Sequence, residues 1–179
     1  MWLRLDLEGI ITELCIRKYV KQEKQNGFAS DYWCDVGFSF SFPPLINYTK
    51  SHDEILLSDE VDALAKALND LLNDKLTERV TLEFCEPDFC FELMPKEDLR
   101  NNPRLLYIRP GHEIADICAE WKVFFWNGAL TANYLTVTLD RADIMALRNY
   151  LFLVIGKYNT DTPEIAEMIK GGILYGNLY

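Results

Sequence analysis

Hydrophobic and polar residues alternate in several short stretches of this chain, a pattern typical of β-strands that bury one face. Residues 3–7 alternate leucine with charged side chains, and residues 36–42 alternate valine or phenylalanine with glycine or serine. Gly9 shifts the phase after the first stretch, which predicts a β-bulge at that glycine. Residues 45–57 have no clear periodicity, and the sequence predicts an irregular segment there.

Apolar residues recur at helical spacing in two longer segments. Residues 59–73 and 141–155 each place leucine, isoleucine, valine or alanine on a single stripe, which predicts two amphipathic helices. Ser58 and Asp140 stand at the positions of N-caps. A third, short helix is predicted after Thr162, because a proline follows this capping residue directly.

Two further segments predict β-hairpins. Residues 79–94 contain two alternating stretches separated by a Pro-Asp turn. Residues 116–126 and 130–139 flank an Asn-Gly dipeptide, which favours a two-residue turn. That turn would mix polar and apolar residues on one face. Pairing Trp121 with Leu135 keeps one face apolar, so we predict a three-residue loop or a bulge instead.

The order of the elements is strands, helix, strands, helix and short helix. Strands that are joined by hairpins form antiparallel sheets, and striped helices can cover an apolar sheet face. The sequence therefore predicts an α+β fold. We expect an antiparallel sheet covered on one face by two main helices, with a short C-terminal helix and a single domain over residues 1–179.

The negative charge of the chain is concentrated in its middle. The net charge is −10, and residues 31–103 alone carry sixteen Asp or Glu against six Lys or Arg. A pI near 4.7 argues against nucleic-acid binding, which depends on basic side chains that neutralise phosphates. If the middle segment folds onto one side, its carboxylates form an acidic face that attracts a basic protein partner.

The predicted hairpin at residues 79–94 is the most acidic local feature. An even-numbered loop pairs Glu83 with Glu92 across the strands, with Glu86 and Asp88 at the same end. We interpret these four carboxylates as candidate partner-binding residues, together with Trp126, which we expect to be exposed beside a turn. In the alternative interpretations, an internal Lys or Arg neutralises the pair, or the charges simply face water.

No pattern of catalytic or metal-binding residues stands out. The five cysteines are scattered without a C-x-x-C motif, and the two histidines lie far apart, so no catalytic residue, metal ligand or cofactor is predicted. Without a recognisable export signal, we expect reduced thiols and a cytoplasmic location. No apolar run is long enough for a membrane helix. A self-associating scaffold, with a homo-oligomer as its product, and a small-substrate enzyme remain as alternatives.

Several segments, in order along the chain, resemble the WapI-type bacterial immunity proteins and their uncharacterised relatives. The resemblance covers residues 31–155, whereas residues 1–30 and the tail after residue 156 depart from the shorter members. It implies a non-enzymatic, cytoplasmic α+β protein whose partner is a toxin, and it supplies no catalytic residues. The segments that carry the resemblance are Asp31-Tyr32-Trp33, Leu56-Leu57, Glu86-Pro87-Asp88-Phe89 with Phe91, Glu120-Trp121-Lys122-Val123, Leu135-Thr136-Val137-Thr138-Leu139 and Tyr150-Leu151.

Overall fold

The computed structural model describes residues 1–21 and 32–176, and it confirms the α+β class. Three helices and eleven strands occur in these described ranges. The strands are β1 (Trp2–Leu7), β2 (Ile10–Arg17), β3 (Trp33–Phe42), β4 (Ile46–Leu57), β5 (Val80–Glu83), β6 (Phe89–Met94), β7 (Glu97–Asp98), β8 (Ile114–Ala115), β9 (Cys118–Trp126), β10 (Leu130–Leu139) and β11 (Leu174–Tyr175). The helices are α1 (Ser58–Leu72), α2 (Arg141–Val154) and α3 (Pro163–Lys170).

The longer strands divide between two antiparallel sheets. The first sheet has the order β11-β1-β2-β3-β4, and the second has the order β10-β9-β6-β5. β7 and β8 form a separate two-stranded ladder. Strand β4 is therefore one edge of the first sheet, whereas β5 and β10 are the two edges of the second.

The two sheets pack against each other through aromatic side chains. The buried ring of Trp121, on β9, lies 5.2 Å from the ring of Phe40 in the first sheet and 5.2 Å from the ring of Phe91 in its own sheet. Phe38 contacts Phe89 across the same interface, with ring centroids 4.8 Å apart. Such ring pairs add to the free energy gained from burying their area, so this cluster fixes the second sheet on the first.

Helices α1 and α2 pack on each other and close the core from one side. The buried residues of α1 include Val61, Leu64 and Leu68, as the helical stripe predicted. The carboxylate of Asp140 accepts hydrogen bonds from the N–H groups of Ala142 and Asp143, which confirms its role as an N-cap.

Ser58 has a different role from the predicted cap. It is the first residue inside α1 and it is fully buried. Its hydroxyl donates to the carbonyl of Tyr32 and accepts the N–H of Val20. The N-terminal hydrogen bond of the helix comes instead from Glu60, in the first turn of α1, whose carboxylate accepts the N–H of Leu57 at 2.8 Å. Ser58 thus connects the start of α1 to Val20, which follows β2, and to Tyr32, which directly precedes β3.

Two predictions for the first sheet are wrong. Gly9 does not form a bulge. It forms a two-residue turn with Glu8, and the positive φ angles of 54° and 92° at Glu8 and Gly9 suit a tight hairpin between β1 and β2. Residues 46–57 are not irregular but form β4, whose polar, mostly exposed residues lack the apolar alternation of a half-buried strand.

The β9–β10 hairpin has the predicted three-residue loop and also a bulge. Trp126 pairs with Leu130, and the register shifts before Tyr134. Val137 consequently lies opposite Trp121, two residues further along than the predicted partner Leu135. A shift of two residues keeps the apolar face intact, so the face is as predicted and the pairs are not.

Tyr150 of α2 extends the hydrogen bonding of the first sheet. The last pair of the β1–β2 ladder is Leu3 with Leu14, and beyond it the N–H of Ile16 donates to the Tyr150 hydroxyl at 2.7 Å. Tyr150→Phe should therefore lower the free energy of unfolding by about 1–3 kcal/mol, because a buried N–H loses its acceptor. Urea denaturation measures this loss. Tyr107→Phe, at an exposed tyrosine, is the control and should leave stability unchanged.

Candidate partner-binding surface

The register of the β5–β6 hairpin separates the predicted pair of glutamates. Glu83 lies opposite Cys90, and Glu92 lies opposite Thr81, so the predicted Glu83–Glu92 pair is wrong by two residues. The predicted faces are correct, because Leu82 still pairs with an apolar partner. Glu83 therefore stays exposed at the sheet edge, away from Glu92.

Glu92 is neutralised by one cation of its own sheet, Lys122, and by Arg79, which directly precedes β5. Its carboxylate accepts hydrogen bonds from Arg79 at 2.8 Å and Lys122 at 3.4 Å, and its neighbour on β9 is Glu120. Partial burial acts to raise the pKa of Glu92, but the bonds and charges of Lys122 and Arg79 outweigh it and lower the pKa. Glu92 thus offers little free charge to a partner, as one alternative interpretation of the sequence anticipated.

The lowered pKa of Glu92 makes its contribution to stability depend on pH. The contribution is complete above the unfolded-state pKa of about 4.3 and disappears as the pH falls through the folded-state value. We expect Glu92→Gln to be less stable than wild type at neutral pH, with the difference shrinking towards about pH 3. Urea denaturation across this range measures it. Glu78→Gln, at an exposed glutamate, is the control, and its unfolding free energy should follow that of wild type at every pH. If the stability difference between Glu92→Gln and wild type does not change with pH, the role of the ionised Glu92 is contradicted.

Asp88 lies inside the protein. Only 2% of its surface is exposed, and its carboxylate accepts a hydrogen bond from the Lys50 ammonium at 2.6 Å. Lys50 also pairs with Asp53 at 3.1 Å. Partial burial acts to lower the pKa of Lys50, but the two carboxylates outweigh it and raise the pKa. Since Lys50 is on β4 and Asp88 precedes β6, this pair connects the two sheets. Its burial leaves Asp88 no direct access to a partner.

Trp126 is half-buried instead of fully exposed. The Lys50 ammonium stands 4.8 Å from the centre of its ring, a cation–π contact. The indole Nε1 is buried and has no hydrogen-bond partner in the part of the chain that the structure describes. Trp126 therefore supports the Lys50–Asp88 connection with one face of its ring.

Carboxylates from three segments converge beside this connection and form what we call the acidic edge. The Glu60 carboxylate of α1 accepts the N–H of Cys85 at 2.6 Å, which places the start of α1 against the β5–β6 turn. Lys50 joins Asp53 of β4 to the same turn through Asp88. The acidic edge consists of Asp53, Glu54, Asp59, Glu60, Glu83 and Glu86.

The charge of the acidic edge is largely uncompensated. Within residues 1–21 and 32–176, Asp53 is its one member with an ion pair, to Lys50. Most other carboxylates of the acidic middle segment have a basic neighbour. Those with one are Asp35, Asp70, Asp74, Asp88, Glu92 and Asp98. Unpaired negative charge therefore accumulates around the β5–β6 turn.

The sequence pointed to only part of this surface. Glu83 and Glu86 were predicted, whereas Asp53, Glu54, Asp59 and Glu60 were not. The density of acidic residues between 53 and 62 was a usable signal. It was obscured because Asp59 and Glu60 also suit the first turn of a helix.

Other chemistry is sparse in the described ranges. All five cysteines are free thiols, and Cys85 lies beyond the end of the strand ladder that contains Cys90. Among the described residues, no three His, Cys, Asp or Glu side chains are placed to hold a metal ion. Likewise, no helix in these ranges has the length and apolar character to cross a membrane.

The model of the immunity protein WapI-like family matches residues 4–159. The chain belongs to this family. The match includes most of β1 and all of β2, so most of the N-terminal segment that we expected to depart from the family belongs to the matched region. Of the elements near the C-terminus, α3 and β11 lie beyond the matched residues. A comparison with curated proteins gave no match.

The WapI-like match and the site geometry concern overlapping parts of the chain. Both the acidic edge and the Lys50–Asp88 connection lie inside residues 4–159. Membership in an immunity protein family implies a protein toxin as partner. Within the described residues, five of the six carboxylates of the acidic edge have no ion pair.

Proposed function

We propose that this chain is a non-enzymatic, single-domain bacterial immunity protein that neutralises a basic toxin domain in the cytoplasm. The acidic edge is the surface that meets the toxin. One observation carries this proposal: carboxylates from β4, α1 and the β5–β6 hairpin converge, and within the described residues Lys50 is the single cation that pairs with any of them. Such uncompensated negative charge can bind a partner whose own surface supplies the lysines and arginines.

The acidic edge suits fast capture. Its side chains are mostly exposed, so they keep much of their hydration and each adds little to the final affinity. Their combined field still orients a basic partner during encounter and raises the association rate. An immunity protein benefits from such a rate, because it must reach the toxin before the toxin reaches its target.

Stoichiometric inhibition separates this function from an enzymatic one. We expect the toxin domain encoded by the gene next to this chain's gene to lose its activity when an equal amount of the protein has been added. Titration of toxin activity against added protein measures the molar ratio at which the activity is lost. An enzyme that modifies or degrades the toxin would inactivate it at a far lower molar ratio of protein to toxin. That result, or no inhibition at all, would overturn the proposal.

A further inference from the structure

An aromatic groove opens beside the acidic edge, between strands of different sheets. β4 and β10 are both edge strands, and a groove of about 420 Å³ lies between them. We define the aromatic groove by four of its lining residues: Leu45, Tyr48, Phe125 and Tyr134. The rings of Tyr48 and Phe125 meet at 4.9 Å and form its floor.

The rim of the groove exposes large apolar side chains. Leu45 is 75% exposed and Tyr134 is 54% exposed. Phe42 of β3 is exposed as well, and its ladder partner Ile46 lines the groove. Contiguous exposed apolar area of this kind marks interaction sites on proteins.

The groove also contains an unused hydrogen-bonding group. The Tyr48 hydroxyl is buried, and the described residues offer it no partner. Buried polar atoms in folded proteins are nearly always paired, so the Tyr48 hydroxyl is an unsatisfied polar group beside the groove.

Lys50 makes the groove continuous with the acidic edge. Tyr48 and Lys50 are two residues apart on β4, a distance of about 6.6 Å along a strand. Phe125 precedes Trp126, whose ring lies under the Lys50 ammonium, and Lys50 pairs with Asp53 of the acidic edge. Apolar and acidic areas thus adjoin along one strand.

We propose that the aromatic groove is the apolar anchor site of the toxin interface. Its occupant is an extended basic segment of the toxin that places a large apolar side chain in the groove. This inference rests on the proposed function. Side chains at alternate positions of an extended segment share a face and are spaced about 6.6 Å apart. Lysines or arginines two and four residues from the anchor therefore lie about 7 and 13 Å further along β4, towards Asp53, whose carboxylate lies beside Lys50. The free edge of β4 can pair with the backbone of the segment.

A short peptide tests the groove without the toxin. The probe is an acetylated peptide with threonine at every second position. The positions between the threonines hold one phenylalanine and two lysines. The control peptide has serine in place of the phenylalanine. We expect the probe to shift the NMR signals of Tyr48, Phe125 and Tyr134 in the full chain, and to bind roughly fivefold or more tightly than the control peptide.

Two matched variants locate the binding. Tyr134→Ser should weaken probe binding roughly fivefold or more, whereas Tyr107→Ser, at an exposed tyrosine of the 99–113 loop, should not. Leu45→Ser provides a second groove variant in case Tyr134→Ser unfolds. Equal binding of both peptides, no binding at millimolar concentration, or equal effects of Tyr134→Ser and Tyr107→Ser would overturn the inference. Stoichiometric inhibition of the toxin together with a failed peptide test would reject the groove and leave the proposed function standing.

Discussion

Neutralising three carboxylates of the acidic edge should slow capture of the toxin about tenfold or more at low salt. The triple variant carries Asp59→Asn, Glu83→Gln and Glu86→Gln. None of the three residues forms an ion pair within the described ranges, so the fold should tolerate the change. Glu60 is kept, because its carboxylate holds the N–H groups of Leu57 and Cys85. Stopped-flow or surface plasmon resonance measures the association rate.

A second triple variant controls for net charge. Asp161→Asn, Glu164→Gln and Glu167→Gln remove the same formal charge from exposed positions around α3. We expect a much smaller change in association rate for this variant, and a shallower salt dependence only for the variant of the acidic edge. Equal slowing by both triple variants would mean that total charge, and not the acidic edge, guides the encounter.

Lys50→Met should produce the largest loss of stability, about 3–5 kcal/mol. The substitution keeps most of the side-chain volume but removes the cation beside Asp88, which is 2% exposed. A buried carboxylate without a partner loses its hydration and gains nothing in return. The contact of the ammonium with Trp126 is lost as well. Urea denaturation at neutral pH measures the change in unfolding free energy.

Two companion variants identify the cause of that loss. Lys66→Met breaks an exposed ion pair with Asp70 on the surface of α1 and should cost less than about 1 kcal/mol. Adding Asp88→Asn to Lys50→Met removes the stranded charge and should recover part of the lost stability. If Lys50→Met is no worse than Lys66→Met, the Lys50–Asp88 pair does not hold the sheets together.

Periodicity predicts the face that a side chain occupies but not its partner. In both the β5–β6 and β9–β10 hairpins, the predicted apolar face is correct and the pairs are shifted by two residues. Such a shift leaves every side chain on the same face, so the hydrophobic pattern cannot detect it. It decides instead which charges meet. Glu92 acquires Arg79 and Lys122 as neighbours, and Glu83 remains unpaired.

Contacts between distant segments account for the rest of what the sequence did not disclose. The Lys50–Asp88 pair joins two sheets, and nothing local marks either residue as buried. β4 escaped prediction because an edge strand with polar side chains has no hydrophobic alternation. The helices α1 and α2 were predictable, because their buried stripes repeat within a single element.

Hydrogen exchange of the chain, alone and with the neighbouring toxin domain, tests the central claim most directly. The account predicts slower exchange on binding in two segments, residues 46–60 and 83–88, which include β4, the start of α1 and the β5–β6 turn. Exchange in α3 and in the exposed 104–109 loop should stay unchanged. Protection confined to α3 or to that loop, with the acidic edge unaffected, would contradict the account.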